Sequence, residues 1–147
     1  MNNSAQEIES FIAQWAEGPE KNNKAFIEFK EHLESMSGVN LSFFPRPGLT
    51  YSLRAGHARQ KDKPLFVMVD VIEDDPRWLS VCFYGDMIGD PEEKGDFVPA
   101  GLLGQDARCF DLNQYDEEAV RYIKARMDEA CMAAARSYPA WRETFRR

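Results

Sequence analysis

A chain of 147 residues, 44% of them apolar and 12% aromatic, is one domain by length and is long enough to bury a real core. No apolar run approaches the ~20 residues that a membrane helix needs, and the opening Met-Asn-Asn-Ser has neither the basic nor the apolar segment of a secretory signal. The net charge of −7 is concentrated, because residues 86–118 hold ten acids against two bases, Lys94 and Arg108; phosphate backbones repel such a face, which disfavours nucleic acid as a partner.

The chain opens as a helix. Ser4 and Glu7 have capping-box spacing, and Ile8, Phe11, Ile12 and Trp15 follow as one apolar stripe. Gly18-Pro19 ends it. A second helix starts between Pro19 and Lys24, carries Phe26, Phe29, Leu33 and Met36 on one side, and stops at Gly38. The period then changes to two. Val39, Leu41 and Phe43 alternate with polar residues, "PRPG" at 45–48 turns the chain, and Leu49, Tyr51, Leu53 and Ala55 alternate again, which predicts a hairpin. "PLFVMVDVI" is apolar on both parities and predicts a strand near the sheet centre, covered on both faces. "RWLSVCFY" follows after a short turn and pairs with it. Residues 85–106 hold five of the nine glycines and two prolines, but also Met87, Ile88, Phe97, Val98, Leu102 and Leu103. They predict a long loop that packs its own side chains onto the domain. "ARCFDL" is a short strand. Asn113 then caps a last helix over 113–138, with Asp116, Glu117 and Glu118 in its first turn and Pro139 at its end. The tail "AWRETFRR" is basic and offers Trp141 and Phe145 for docking.

The order is two helices (1–37), four to five strands (38–112) and a long C-terminal helix: a single α+β domain with an antiparallel sheet flanked by helices. Three pieces of it, "LTYSLRAG", the hairpin "PLFVMVDV…WLSVCFYGD" and "CFDLNQYDEEAVRYIKARMDEA", resemble the YdhG-like and YjbR-like small bacterial domains of unknown function. The likeness spans residues 29–134 and lies in element order and apolar pattern. It implies a bacterial origin and this fold, and it supplies no catalytic residues. Where YdhG-like sequences place a proline soon after the tyrosine of the first hairpin, this chain has Ser52-Leu53-Arg54 after Tyr51, and the long glycine-rich loop is no part of that pattern.

Three groups of residues are candidates for chemistry. "YGDMIGDPEEKGD" crowds Asp86, Asp90, Glu92, Glu93 and Asp96 into thirteen residues. The calcium-loop pattern fails here, since Asp86-Met87-Ile88 lacks an oxygen at its third position and Asp90-Pro91-Glu92 lacks the glycine. Asp86, Asp90, Glu92 and Asp96 remain as candidates for an irregular metal site or for carboxylate catalysis, and a solvated turn is the favoured reading. Asp70, inside an apolar strand, is the better single acid, most simply paired with an arginine or a backbone N–H. The basic stretch Arg54, His57, Arg59, Lys61, Lys63, with Tyr51 and Arg46 nearby, could bind an anion or serve as a charged loop beside an edge strand.

No nucleophile elbow, phosphate-binding loop or zinc spacing is present. Cys82, Cys109 and Cys131 are odd in number and lack CxxC spacing, so three reduced thiols and a cytoplasmic location are expected. The reading is a non-catalytic, cofactor-free module that binds a small ligand or a protein, a second copy of the chain included. Its site lies where residues 85–106 meet the sheet, with Tyr51, Arg54, His57, Tyr84 and Asp86 as its residues. Two alternatives are an enzyme using carboxylates of the 84–96 loop, with or without a metal, and a nucleic-acid-associated protein using residues 54–63 and the arginine tail.

Overall fold

The computed structural model describes residues 4–136; the expectations for Pro139, Trp141, Phe145 and the arginine tail lie outside them. The elements are α1 (Ser4–Gln14), α2 (Asn22–Glu34), β1 (Val39–Arg46), β2 (Thr50–His57), β3 (Val67–Ile72), β4 (Trp78–Tyr84), β5 (Asp96–Leu102), β6 (Gln105–Leu112) and α3 (Glu117–Ala135). A 3-10 turn, Gly85–Met87, follows β4. The strands form one six-stranded sheet in the order β1-β2-β3-β4-β6-β5, every pair antiparallel. The α+β class is as expected, with six strands in place of four to five.

The extra strand comes from the predicted loop. β5 is an edge strand with Pro99 inside it, a position where the missing N–H costs no ladder bond, and its pairing slips between Val98 and Leu102. The slip leaves Ala100 at φ 54° and its amide donating to Asp106 Oδ1 over 3.1 Å. Leu103 and Gly104 turn the chain into β6, both at positive φ, as a two-residue hairpin turn of the right twist requires. Half of the loop is therefore a hairpin, and only residues 85–95 are irregular.

Alternation decides the two faces of the sheet. Leu53, Ala55, Val67, Val69, Val71, Leu79, Val81 and Phe83 point to one face and meet Ile8 and Phe11 of α1, Phe26, Phe29 and Leu33 of α2, and Ile123 and Met127 of α3. All three helices thus cover one face. β3 is central, as its apolar run implies, yet its second face is half-buried, with Met68, Asp70 and Ile72 on it. Cover on both faces of this strand was expected, and among the described residues no helix covers the second.

Two polar anchors tie the layers together. Asn22 is fully buried and donates to the carbonyls of Arg77 (2.8 Å) and Asn113 (3.0 Å), holding the start of α2 to the ends of β4 and β6. Tyr115 donates to Glu28 over 2.7 Å, which pushes its phenol up to about 12. The cap of α3 is Asp116, whose carboxylate accepts from the amide of Glu118 at 3.0 Å, and not Asn113. Asn113 turns the chain out of β6 three residues earlier.

The expectation of three free thiols is overturned. Cys82 and Cys109 are direct register partners of β4 and β6, with Cα atoms 4.1 Å apart, and form a disulfide; Cys131 is the free cysteine. The spacing of 27 residues along the chain hides a contact that only strand register creates. The cytoplasmic expectation loses the support it drew from reduced thiols. Unfolded without reductant, the chain is expected to titrate one thiol, rising to three after reduction. Three thiols before reduction would disprove the bond.

Candidate functional site

The strand ends at one edge of the sheet build a cleft of about 460 Å³. β4 finishes at Tyr84 and runs into the 3-10 turn with Asp86, while the β5–β6 hairpin supplies Phe97, Asp106 and Arg108. Lys63, from the β2–β3 connection, closes the rim, with its ammonium 5.2 Å from the centre of the Tyr84 ring. Tyr84 is almost fully buried; burial pushes its phenol up, and the nearby Arg54 charge partly offsets this. Among the described residues Arg108 makes one ion pair, a long one of 4.0 Å with Asp90. Phe97 is 55% exposed, an aromatic wall open to a ligand.

The cleft holds two cations, two carboxylates and two aromatic rings. Among the described residues its walls carry no histidine, cysteine, serine or threonine. Such a lining can hold a charged ligand by ion pairing and stacking.

Of the five residues assigned to the site from sequence, Tyr84 and Asp86 line this cleft. Arg54 lies on the helix-free face of the sheet, where its Nε donates to Ser52 Oγ over 3.1 Å and its guanidinium stacks 4.3 Å above the Phe44 ring. Tyr51 points the opposite way. Its ring packs 4.5 Å from Phe11 and 5.1 Å from the Arg77 guanidinium, on the helix side. His57 ends β2 against Gly38, accepting from the Arg59 amide at Nδ1. The five are therefore not one site. Lys63, read from sequence with the basic stretch as an anion candidate, does line the cleft, whereas Phe97, Asp106 and Arg108 were missed as site residues because only the strand register brings them together.

The acidic loop also separates. Asp90 is 5% exposed and organises the loop: its carboxylate accepts from the amides of Lys94 and Gly95 at 3.0 Å and from the hydroxyl of Tyr122. Burial alone would raise this carboxyl, but the Tyr122 hydroxyl, the two amides and Arg108 outweigh it and hold it below its ordinary value. Glu92 is exposed and paired with Lys94 at 3.4 Å. Asp96 sits in β5 opposite Cys109. Among the described residues no group of three or more His, Cys, Asp or Glu side chains is placed to hold a metal ion.

Asp70 stands apart on the helix-free face, between its register partners Ser52 and Ser80. Burial raises its carboxyl, against the lowering effect of the Ser52 hydroxyl and of the charges of Arg54 and Arg46. One oxygen, Oδ1, is buried without a partner. The arginine expected beside it is held one residue away, through Ser52.

No family model, no curated protein and no solved structure matches this chain. No helix among the described residues is long and apolar enough to cross a membrane.

Proposed function

We propose that this chain is a non-catalytic binding module whose ligand, a small anion with a flat or apolar body, occupies the cleft at the end of β4 and the start of β6. The observation that carries this reading is the pair Lys63 and Arg108, two cations beside Tyr84 and Phe97, neither engaged in a close ion pair among the described residues. Arginine presents a fork matched to carboxylate or phosphate, and the rings would hold the body of the ligand. The likeness to YdhG-like and YjbR-like domains fits a bacterial module of this kind and adds no ligand.

An enzyme using the 84–96 carboxylates has less support, since Asp90 is committed to its loop and Asp86, Glu92 and Asp96 serve different surroundings. A nucleic-acid surface has less again. Arg54 lies on the open face and Lys63 in the cleft, so the basic stretch does not form one track. A protein partner at the same rim is favoured by exposed Phe97 and Leu103.

Thermal melts with inorganic phosphate and a set of small aromatic and aliphatic carboxylates test the reading. An anion at a hundred times its Kd adds about 2.7 kcal/mol, a shift of several degrees for a domain of this size. Lys63→Glu and Arg108→Ala are each expected to weaken that anion about tenfold. An anion that shifts both variants as it shifts the native chain would place binding elsewhere and end the proposal.

A further inference from the structure

The helix-free face of the sheet has its own pattern, separate from the cleft. Across it run Phe44, Ser52, Asp70, Ser80 and Asp111, each the register partner of the next, on β1, β2, β3, β4 and β6. Beside that row lie Met68 and the Cys82–Cys109 bridge, and beyond it Ile72 and Trp78. Phe44 is 45% exposed, and Met68, Ile72 and Trp78 are half-buried. A face this apolar, with a buried and unpartnered carboxylate oxygen at its centre, leaves both hydrophobic surface and hydrogen-bonding capacity unused.

Its charges are sorted by side. Arg46 and Arg54 stand on β1 and β2, and both act on Asp70. Asp111 and Asp96 stand on β6 and β5, at the other side of the sheet, and both are exposed. None of these four makes an ion pair with an acid or base among the described residues. In the strand order β1-β2-β3-β4-β6-β5 the midline falls between β3 and β4. A twofold axis along the strand direction at that midline lays β1 and β2 of one copy over β5 and β6 of the other.

We propose that this face is covered by a second copy of the chain, in a twofold, face-to-face sandwich. The operation seats Arg54 over the partner's Cys109, with Asp96 of the partner subunit in the same row on the adjacent strand and Asp111 of the partner subunit one row along; Arg46 lies one row beyond Asp111 of the partner subunit, on the neighbouring strand, and the reverse pairing follows from symmetry. It also sets Asp70 opposite the partner's Ser80, because Asp70 and Ser80 are register partners on the two strands that the axis exchanges. The unpartnered Oδ1 then gains a hydroxyl donor. Sheets packed face to face keep their strands within about 30° of one another, which this axis satisfies. An unrelated partner would need its own matching charge pattern; a copy of this chain supplies one by construction.

Sedimentation equilibrium of the native chain and of three variants tests the arrangement. The native chain is expected at twice its 16.9 kDa mass at micromolar concentration. Asp111→Arg sets like charges against Arg54 of the partner subunit and is expected to weaken association about tenfold or more; as an exposed side chain without a bonded partner among the described residues it leaves the fold alone. Arg54→Glu does the same from the other side, and the double change Arg54→Glu with Asp111→Arg restores the dimer. A native chain that stays monomeric at its solubility limit overturns the proposal. So does a dimer whose constant is unmoved by Asp111→Arg, or a folded double variant that fails to regain it. If Arg54→Glu disturbs the fold, Asp111→Arg alone decides.

Discussion

Asp90→Ala is expected to lower the stability of the domain by about 3 kcal/mol, because three donors lose one shared acceptor. The donors are the amides of Lys94 and Gly95 and the hydroxyl of Tyr122, which reaches the loop from α3. Asp90 itself sits at φ 43°, a left-handed conformation that aspartate tolerates and alanine resists, so the backbone adds to the loss. In a domain of this size the melting point should fall by roughly 6–12 °C. Asp90→Asn keeps one acceptor and the backbone preference and should lose about half as much. The carboxyl is held below its ordinary value of 3.8, so its contribution is present at neutral pH and is lost as pH falls through the folded value. The gap between native and Asp90→Ala should therefore narrow in acid to the share that the backbone conformation contributes. An alanine variant that melts with the native chain at neutral pH would return Asp90 to the solvent and reopen its reading as a ligand-binding acid. The same loop positions Asp86 and, through Arg108, one wall of the cleft, so the variant should also weaken any anion bound there.

How much of this was legible depends on whether local pattern or strand register carried the information. The stripes Ile8-Phe11-Trp15 and Phe26-Phe29-Leu33 announce core-facing helices, and the alternation in 39–43 and 49–55 announces the first hairpin. Each is a local signal, and each element is present. β5 was hidden because an edge strand with Pro99, Gly101 and a bulge has the composition of a loop, and because Leu103-Gly104 lacks the Asn-Gly or Asp-Gly signature of a tight hairpin turn. "PRPG" misled by two residues. Pro45 and Arg46 belong to β1, an edge strand that tolerates proline, and the turn begins at Pro47.

The candidate site was legible in region and not in membership. Residues 85–106 do meet the sheet at a cleft, and Tyr84 and Asp86 are in it. Tyr51 and Arg54 differ by three positions on one strand, so the period of two already places them on opposite faces, and that signal was available. The partners that complete the cleft, Lys63 and Arg108, and the pairing of Cys82 with Cys109, depend on which strands are neighbours. With β6 inserted beside β4 and β5 pushed to the edge, β4 and β6 are neighbours without being consecutive in sequence. No local periodicity encodes that exchange.

Asp70→Asn is expected to act with the opposite sign to Asp90→Ala. Burial raises the Asp70 carboxyl above its ordinary value of 3.8, and the Ser52 hydroxyl and the charges of Arg54 and Arg46 offset only part of that effect. An acid raised in the folded state carries no penalty while both states hold the proton. The penalty grows as pH rises from the unfolded value through the folded one, and is complete above it. At neutral pH the native chain therefore bears the cost of a charged carboxylate with one buried, unpartnered oxygen. A neutral amide of the same shape removes the charge and still accepts from Ser52. Asparagine should stabilise the monomer at neutral pH by about 1–2 kcal/mol, and the gain should vanish in acid. Melts across pH, run at concentrations where copies do not associate, measure it. Loss of stability in Asp70→Asn at neutral pH would mean that Arg54 and Arg46 hold the ionised form, and that Asp70 is a settled ion-pair partner. The comparison also bears on the face-to-face pairing, where the partner's Ser80 would supply the missing donor and shrink the gain from asparagine once the chain is concentrated enough to associate.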